Sequence, residues 1–387
     1  MRFSERVQSL PPYLFAEIER KVAARRAAGV DIISLGIGDP DLPTPANIVA
    51  ALQHAAADPV NHQYPSNRGT AAFRTAVAGY YERRFGVRID PETEVIPLLG
   101  AKEGVAHIGM TLLDQGDVCL AADPGYPVYT TGPLLADGTA VALPLKPELG
   151  FQPDLEHVEP SALAKAKMVF CSYPNNPTGA VIEDDFFTRL TAFAEEHDIV
   201  VVHDNAYADI TFEGYVAPSF LQTPGAKDVG VELFSLSKSY NMTGWRAGAI
   251  VGNPEVVDAF WRLKTNMDSG MFGALQAACV EALGGPQESV AEMCRVYRRR
   301  RDLLIAALRD IGLRAEPPKG TIYLWVPVPE GHTSASFAGL VLEQADVIVS
   351  PGAAYGPSGE GYVRLSLTDP DARLEEAVRR IEERVKF

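Results

Sequence analysis

Three apolar runs constrain this chain most: Met168-Val-Phe-Cys-Ser172, Ile199-Val-Val-Val-His203 and Val231-Glu-Leu-Phe-Ser235. Their near-continuous apolar character reads as strands buried on both faces, the pattern of a mostly parallel sheet covered by helices. In such α/β sheets, ligands bind beyond the carboxyl ends of the strands. The first run continues as Tyr173-Pro-Asn-Asn176-Pro177-Thr-Gly179, where turn residues follow at once. The second runs into Asp204 and, three residues on, Tyr207. The third delivers Ser235-Leu-Ser237-Lys238, with Arg246 eight positions further on. Three strand ends thus bring an amide, a carboxylate and an amine towards one crevice.

Those groups suit one cofactor. The Lys238 amine can form an imine with a carbonyl, while Ser235 and Arg246 hold a phosphate. Pyridoxal 5'-phosphate (PLP) needs that pairing. Asp204 can pair with a pyridine nitrogen and keep it protonated, which makes the ring a better electron sink. Asn176 and Tyr207 can reach the ring oxygen. Gly100, Ala101 and Lys102 precede a helical pattern from Val105 to Leu113. The free N–H groups of a helix start make them a phosphate cradle.

These motifs resemble the class I aminotransferases, PLP enzymes of fold type I. The likeness runs from Leu35-Gly-Ile-Gly38-Asp-Pro to Tyr362-Val-Arg364-Leu-Ser-Leu. It implies a large domain with a mostly parallel sheet and a smaller α+β domain. By resemblance, Lys238 carries the cofactor and later moves the proton. Asp204 holds the ring nitrogen, while Asn176 and Tyr207 hold the ring oxygen. Tyr126 stacks on the ring, and Arg364 clamps the substrate's α-carboxylate with a planar fork. Gly38 offers backbone to the substrate. Tyr64 matches a tyrosine that touches the phosphate of the neighbouring subunit, so a homodimer with shared sites is implied. The expected reaction moves an amino group between an L-amino acid and a 2-oxo acid by ping-pong steps.

Plainer readings stand beside these. Asp204 can be a helix N-cap, Tyr126 turn packing, Arg364 a structural ion pair, and Ser237 the cap of a turn. Lys102 can be solvated or paired. PLP lyases that cleave a C–S bond or eliminate from the β-carbon share the fold and the cofactor residues. Ser235-x-x-Lys238 also fits the serine acyl-enzyme signature, but the S-D-N and K-T-G companions are missing. A PLP-fold regulator would want a DNA-binding region, and this chain is acidic.

The 387 residues carry a net charge of -15, which disfavours nucleic acid and anionic membranes as partners. The basic run Arg295 to Arg301 lies in a helical pattern from Glu288 to Leu308 and reads as a solvated face or an inter-subunit pairing surface. Cys119, Cys171, Cys279 and Cys294 lack motif spacing, and the seven histidines are dispersed, so no metal site is expected. No apolar leader or run of 18 apolar residues is present, so a cytoplasmic enzyme is expected.

The expected organisation is an arm and part of the small domain over 1–46, a large domain over 47–285 and a small domain over 286–387. Pro45 is expected at the first position of a helix. Tyr13 and Phe15 in the arm are candidates to cover the active site. Aspartate-type members carry a second arginine where this chain reads Leu263-Lys-Thr-Asn266-Met-Asp-Ser269-Gly. That segment and Leu10-Pro-Pro-Tyr13 look like the LL-diaminopimelate aminotransferase group, with alanine/glutamate or broad-range activity as the other reading. A long substrate's distant charge could meet Tyr13, Lys264, Asn266 or Ser269, and Ser269 could equally reach the partner's phosphate.

Overall fold

The computed structural model describes residues 1–386, apart from the side chains of Leu14, Phe15 and Glu17. The expected role of Phe15 therefore lies outside the described residues. Seven strands build the main sheet: β1 Val95–Leu98, β2 Val118–Asp123, β3 Thr139–Pro144, β4 Ala166–Cys171, β5 Val200–Asn205, β6 Gly230–Ser235 and β7 Gly248–Gly252. Their order is β1-β7-β6-β5-β4-β2-β3. The neighbours from β3 to β6 are parallel; β7 is antiparallel to both β1 and β6. This is the mostly parallel α/β sheet expected from the three apolar runs.

Alternate residues of these strands feed two cores. Val169, Cys171 and Val201 pack on one face with Phe186 and Leu190. Met168, Phe170 and Val202 pack on the other with Val105 and Ile108 of the helix Ala101–Leu112. Helices on both faces explain why the strands show no polar alternation.

One buried polar cluster ties the strand ends together. His203 on β5 lies opposite Glu232 on β6. His203 Nδ1 lies 2.8 Å from Glu232 Oε1, and Nε2 accepts from the Tyr173 amide at 3.2 Å. The second bond fixes the ring proton on Nδ1. The carboxylate also accepts from the Tyr81 hydroxyl, the Asn205 amide and the Phe220 N–H. Burial alone would raise Glu232, but the His203, Tyr81 and Asn205 bonds outweigh it and hold its carboxyl below the ordinary value. A buried charge with every oxygen engaged is tolerable; a partly satisfied one is not.

A second core gathers around three antiparallel strands: β8 Tyr323–Pro327, β9 Ser350–Pro351 and β10 Tyr362–Ser366, in the order β9-β10-β8. The helices Glu288–Asp310, Ser334–Ala345 and Asp371–Arg384 contribute Leu304, Val341 and Leu374 to it. Ile33–Ser34 pairs in parallel with Val347–Ile348, which ties the N-terminal segment to this core. Val347 to Ser350 is not the single strand expected. The chain changes sheets at Val349, because Ser350–Pro351 pairs with β10. Pro45 sits one residue before the helix Ala46–Ala56, at its cap rather than its first position, an offset of the usual size at helix ends.

The basic run is only partly the solvated face expected: Arg295, Arg298 and Arg299 are exposed, but the last two arginines differ. Arg300 and Arg301 are buried, not solvated. Arg300 Nη1 reaches Asp41 at 2.7 Å and its Nε reaches Asp371 at 2.7 Å. Arg301 pairs with Glu213 and Asp302. Carboxylates far away in sequence, with Asp302 beside them, neutralise Arg300 and Arg301 within the chain. No described helix is long and apolar enough to cross a membrane, and the described residues hold no group of three or more side chains able to bind a metal.

Candidate active site

The carboxyl ends of β4, β5 and β6 open into a cavity of about 250 Å³. Asn176, Asp204, Tyr207, Ser235, Ser237, Lys238 and Arg246 line it, together with Gly38, Ala101, Lys102 and Tyr126. Eleven of the fifteen residues singled out for the site thus meet in one place.

Asp204 forms the floor. It is a strand residue rather than a helix cap. Its Oδ2 accepts from the Tyr129 hydroxyl at 2.9 Å, and Ser172 Oγ donates to its backbone carbonyl. Its Oδ1 is buried with no hydrogen-bond partner. Burial pushes the carboxyl up to about 6, against the opposing pull of Tyr129 and His203. A buried acceptor facing a cavity calls for an N–H donor. A protonated ring nitrogen supplies one, so the floor fits the cofactor expected from the sequence.

Lys238 lies in the short helical turn Leu236–Ser239 that follows β6. Its Nζ donates to the Gly38 carbonyl at 2.6 Å. Burial lowers its pKa from the ordinary lysine value, which favours the neutral, nucleophilic amine. Asn176 is oriented by Arg364, whose Nη1 donates to Asn176 Oδ1 at 2.8 Å. With its carbonyl engaged, the amide's N–H₂ end is left to donate into the cavity.

The phosphate-cradle candidates meet at one end. Gly100 has φ +82° and caps the helix Ala101–Leu112. A Cβ on Gly100 would lie 2.3 Å from Arg246 Nη2, so glycine is required for the guanidinium to lie across the helix start. Arg246 itself is left-handed at φ +60° and donates to the Thr243 carbonyl. Ser235 Oγ caps the turn by accepting from the Ser237 N–H. A guanidinium, free helix N–H groups and two serines are a donor set that fits a phosphate.

The roof comes from elsewhere. Arg364 on β10 is buried, and its Nη2 donates to the Gly36 carbonyl at 2.9 Å. Its guanidinium lies over the rings of Tyr323, at 3.9 Å, and Tyr355, at 4.7 Å. Tyr323 shares a hydroxyl contact of 3.1 Å with Tyr207. Gly38 has no room for a side chain, because a Cβ would fall 2.1 Å from the Tyr323 hydroxyl. Tyr129, Tyr323 and Tyr355 went unnoticed in the sequence. Tyr129 had a local signal, three positions after Tyr126 and in the first turn of the helix Val128–Leu135; Tyr323 and Tyr355 had none.

Five further candidates stand apart from this cavity. Tyr13 lines an adjoining cavity with Tyr126 and Asp123. Its hydroxyl accepts from Lys102 Nζ at 2.9 Å and lies 3.5 Å from the Tyr126 hydroxyl, so the arm reaches the site's edge. Tyr64 is 89% exposed and lines no part of its own chain's cavity. Ser269 and Asn266 are exposed on a loop. Lys264 is not available to a substrate: it is buried between Glu103 and Asp268.

A mostly parallel sheet whose strand ends present a lysine, an aspartate and an anion cradle defines an enzyme of amine chemistry. Residues 30–381 match the family described as aminotransferase class I and II. The chain is 52% identical over 378 residues to the LL-diaminopimelate aminotransferase of Desulforudis audaxviator, covering 98% of this chain and 96% of that one. Identity is also 52% to the protein of that name from Moorella thermoacetica, over 98% of each chain. Among solved structures, substrate-bound BacF from Bacillus subtilis aligns with TM-score 0.95 at 40% identity, covering 99% of this chain and 98% of that one. Thermus thermophilus aspartate aminotransferase with maleate aligns with TM-score 0.92 at 31% identity, over 99% of each. The chain belongs to the class I and II aminotransferases.

Proposed function

We propose that this aminotransferase uses PLP and takes LL-diaminopimelate as its amino donor, with a 2-oxo acid as acceptor. One observation carries the cofactor assignment: the unpartnered Asp204 Oδ1 and the Lys238 amine face the same cavity, with the Gly100–Arg246 cradle at its end. The substrate assignment rests on relatives of about half identity that match nearly end to end and bear that name.

PLP, when bound, supplies a carbonyl that takes up the substrate amine and a ring that accepts electrons from its α-carbon. The chain's own residues do the rest. Arg364 binds the α-carboxylate with its planar fork, and Asn176 steadies that fork from the side. Lys238 Nζ, kept neutral by its dry surroundings, would take up the α-proton. Asp204 holds a proton on the ring nitrogen. Asn176 Nδ2 and Tyr207 hold the ring oxygen. Tyr126 would cover the ring face, and Tyr323 lines the cavity beside Gly38. Ser235, Ser237, Arg246 and the N–H groups of Ala101 and Lys102 hold the phosphate.

The same reading makes the protein a homodimer. Tyr64 and Val60 are 89% and 67% exposed, and Phe272 and Met267 are nearly half exposed. A surface of this kind suits burial by a second copy, with Tyr64 reaching the partner's phosphate.

Rates measured side by side on LL-diaminopimelate, alanine, aspartate and an aromatic amino acid test the substrate. The reading requires LL-diaminopimelate to have the highest kcat/KM. A faster rate on any of the others contradicts the assignment. Pyruvate and ammonia released from a donor with a leaving group on its β-carbon, such as cysteine, with no oxo acid present would make the chain a lyase instead.

A further inference from the structure

Lys264 sits at the centre of an ion cluster that the chemistry described above does not use. Its side chain has no exposed surface, and its Nζ lies 2.7 Å from both Glu103 Oε1 and Asp268 Oδ2. Clusters of this kind are seldom kept for stability alone, since packed apolar side chains of similar volume often do as well or better. What the two carboxylates hold is therefore informative.

Glu103 belongs to the phosphate cradle's helix, in its first turn. Its other oxygen accepts from the Leu99 N–H at 2.5 Å, and its own N–H donates to the Gly100 carbonyl at 3.0 Å. It thus fixes the 99–100 turn against the helix start, where Gly100 meets Arg246. Asp268 belongs to the loop after the helix Pro254–Lys264. Its other oxygen accepts from the Gly270 N–H at 2.7 Å. Gly270, at φ +88°, packs on Pro65, Ser66 and Asn67: a Cβ there would lie within 3.3 Å of all three. Those residues directly follow Tyr64. Lys264 therefore joins two structures with different destinations. One is the cradle of its own site. The other is the outward-facing surface of Tyr64 and Ser269.

We propose that Lys264 is a positioning residue for two active sites at once, its own through Glu103 and the partner subunit's through Asp268. This rests on the reading of the protein as a PLP-binding homodimer with Tyr64 shared across the interface. Cradle and exported tyrosine are then held at a fixed spacing, so a disturbance of either is felt at both sites.

Mixed dimers test this. One copy carries Lys238→Ala, so only the other copy can give the yellow, lysine-linked PLP band. Lys264→Met is then placed on the competent copy or on the silenced one, and PLP affinity is titrated from the band alongside the melting temperature. Weakening of about tenfold from either placement is expected. Two milder variants separate the arms and cover any folding loss. Glu103→Gln weakens binding only from the competent copy, and Asp268→Asn only from the silenced one. A melting temperature that falls while affinity holds in both placements would reduce the cluster to local packing and overturn the inference. An effect from one placement alone would overturn it too. Failure of the underlying reading is seen separately, as an unaltered protein that binds no PLP or runs as a monomer.

Discussion

Two lysine amines lie inside this chain in opposite surroundings. Lys264 is clasped by two carboxylates at 2.7 Å. Lys238 donates to one backbone carbonyl and opens onto the cavity, where burial lowers its pKa. A lysine between carboxylates fixes the segments that carry them. A lysine in dry surroundings with only a carbonyl beside it is ready to act as nucleophile and base. The same side chain is thus a strut in one place and a reagent in the other, and the neighbouring charges decide which.

Substitutions can break that comparison. Lys238→Ala should lower kcat by about 10⁴-fold while leaving the melting temperature nearly unchanged, as read by single-turnover kinetics and thermal unfolding. Lys264→Met should do the reverse in emphasis. It strands two partly buried carboxylates, so it should cost about 3–5 kcal/mol in chemical denaturation. If Lys264→Met left stability untouched, the division between strut and reagent would fail.

Asp204→Asn sharpens the contrast, because here reactivity and stability oppose each other. The carboxyl rises from its ordinary 3.8 to about 6 on folding. Between those values the folded chain holds a proton that the unfolded chain has released. Stability of the cofactor-free protein therefore falls as pH rises from about 4 to about 6, and the ionised group costs about 3 kcal/mol above that window. Asp204→Asn should flatten this pH dependence and stabilise the cofactor-free protein at pH 7 by about 2–3 kcal/mol. The same variant should lower kcat by about 10²–10³-fold. Arg364→Lys gives the smallest effect: it keeps the charge but loses the fork, and should raise KM about 10- to 100-fold with less change in kcat.

The floor of the site was legible in the sequence because each of its ligands follows directly on a strand that the apolar pattern marks. Asn176, Asp204 and Lys238 needed no knowledge of distant contacts. The roof was only partly legible. Arg364 came from resemblance, whereas Tyr323 and Tyr355 reach the site only because β8 and the 352–355 turn pack against Gly38 and Arg364. No local pattern marks such contacts. Lys264 shows the same limit. Its partner Asp268 lies four residues on, a spacing readable on a helix, but Glu103 is brought in by the fold. The buried Arg300 and Arg301 were misread for that reason, since Asp41, Glu213 and Asp371 lie far off in the chain. The split of 347–351 between two sheets also depends on partners that the run itself does not announce.

The most direct measurement is the visible absorbance of the purified protein with PLP, set beside that of Lys238→Ala. The account predicts a yellow band in the unaltered protein that bleaches on adding LL-diaminopimelate and returns with a 2-oxo acid. The Lys238→Ala protein should lack both the lysine-linked band and the cycle. An unaltered protein that stays colourless with PLP, or a variant that cycles as the parent does, would contradict the assignment of Lys238 as the reactive amine.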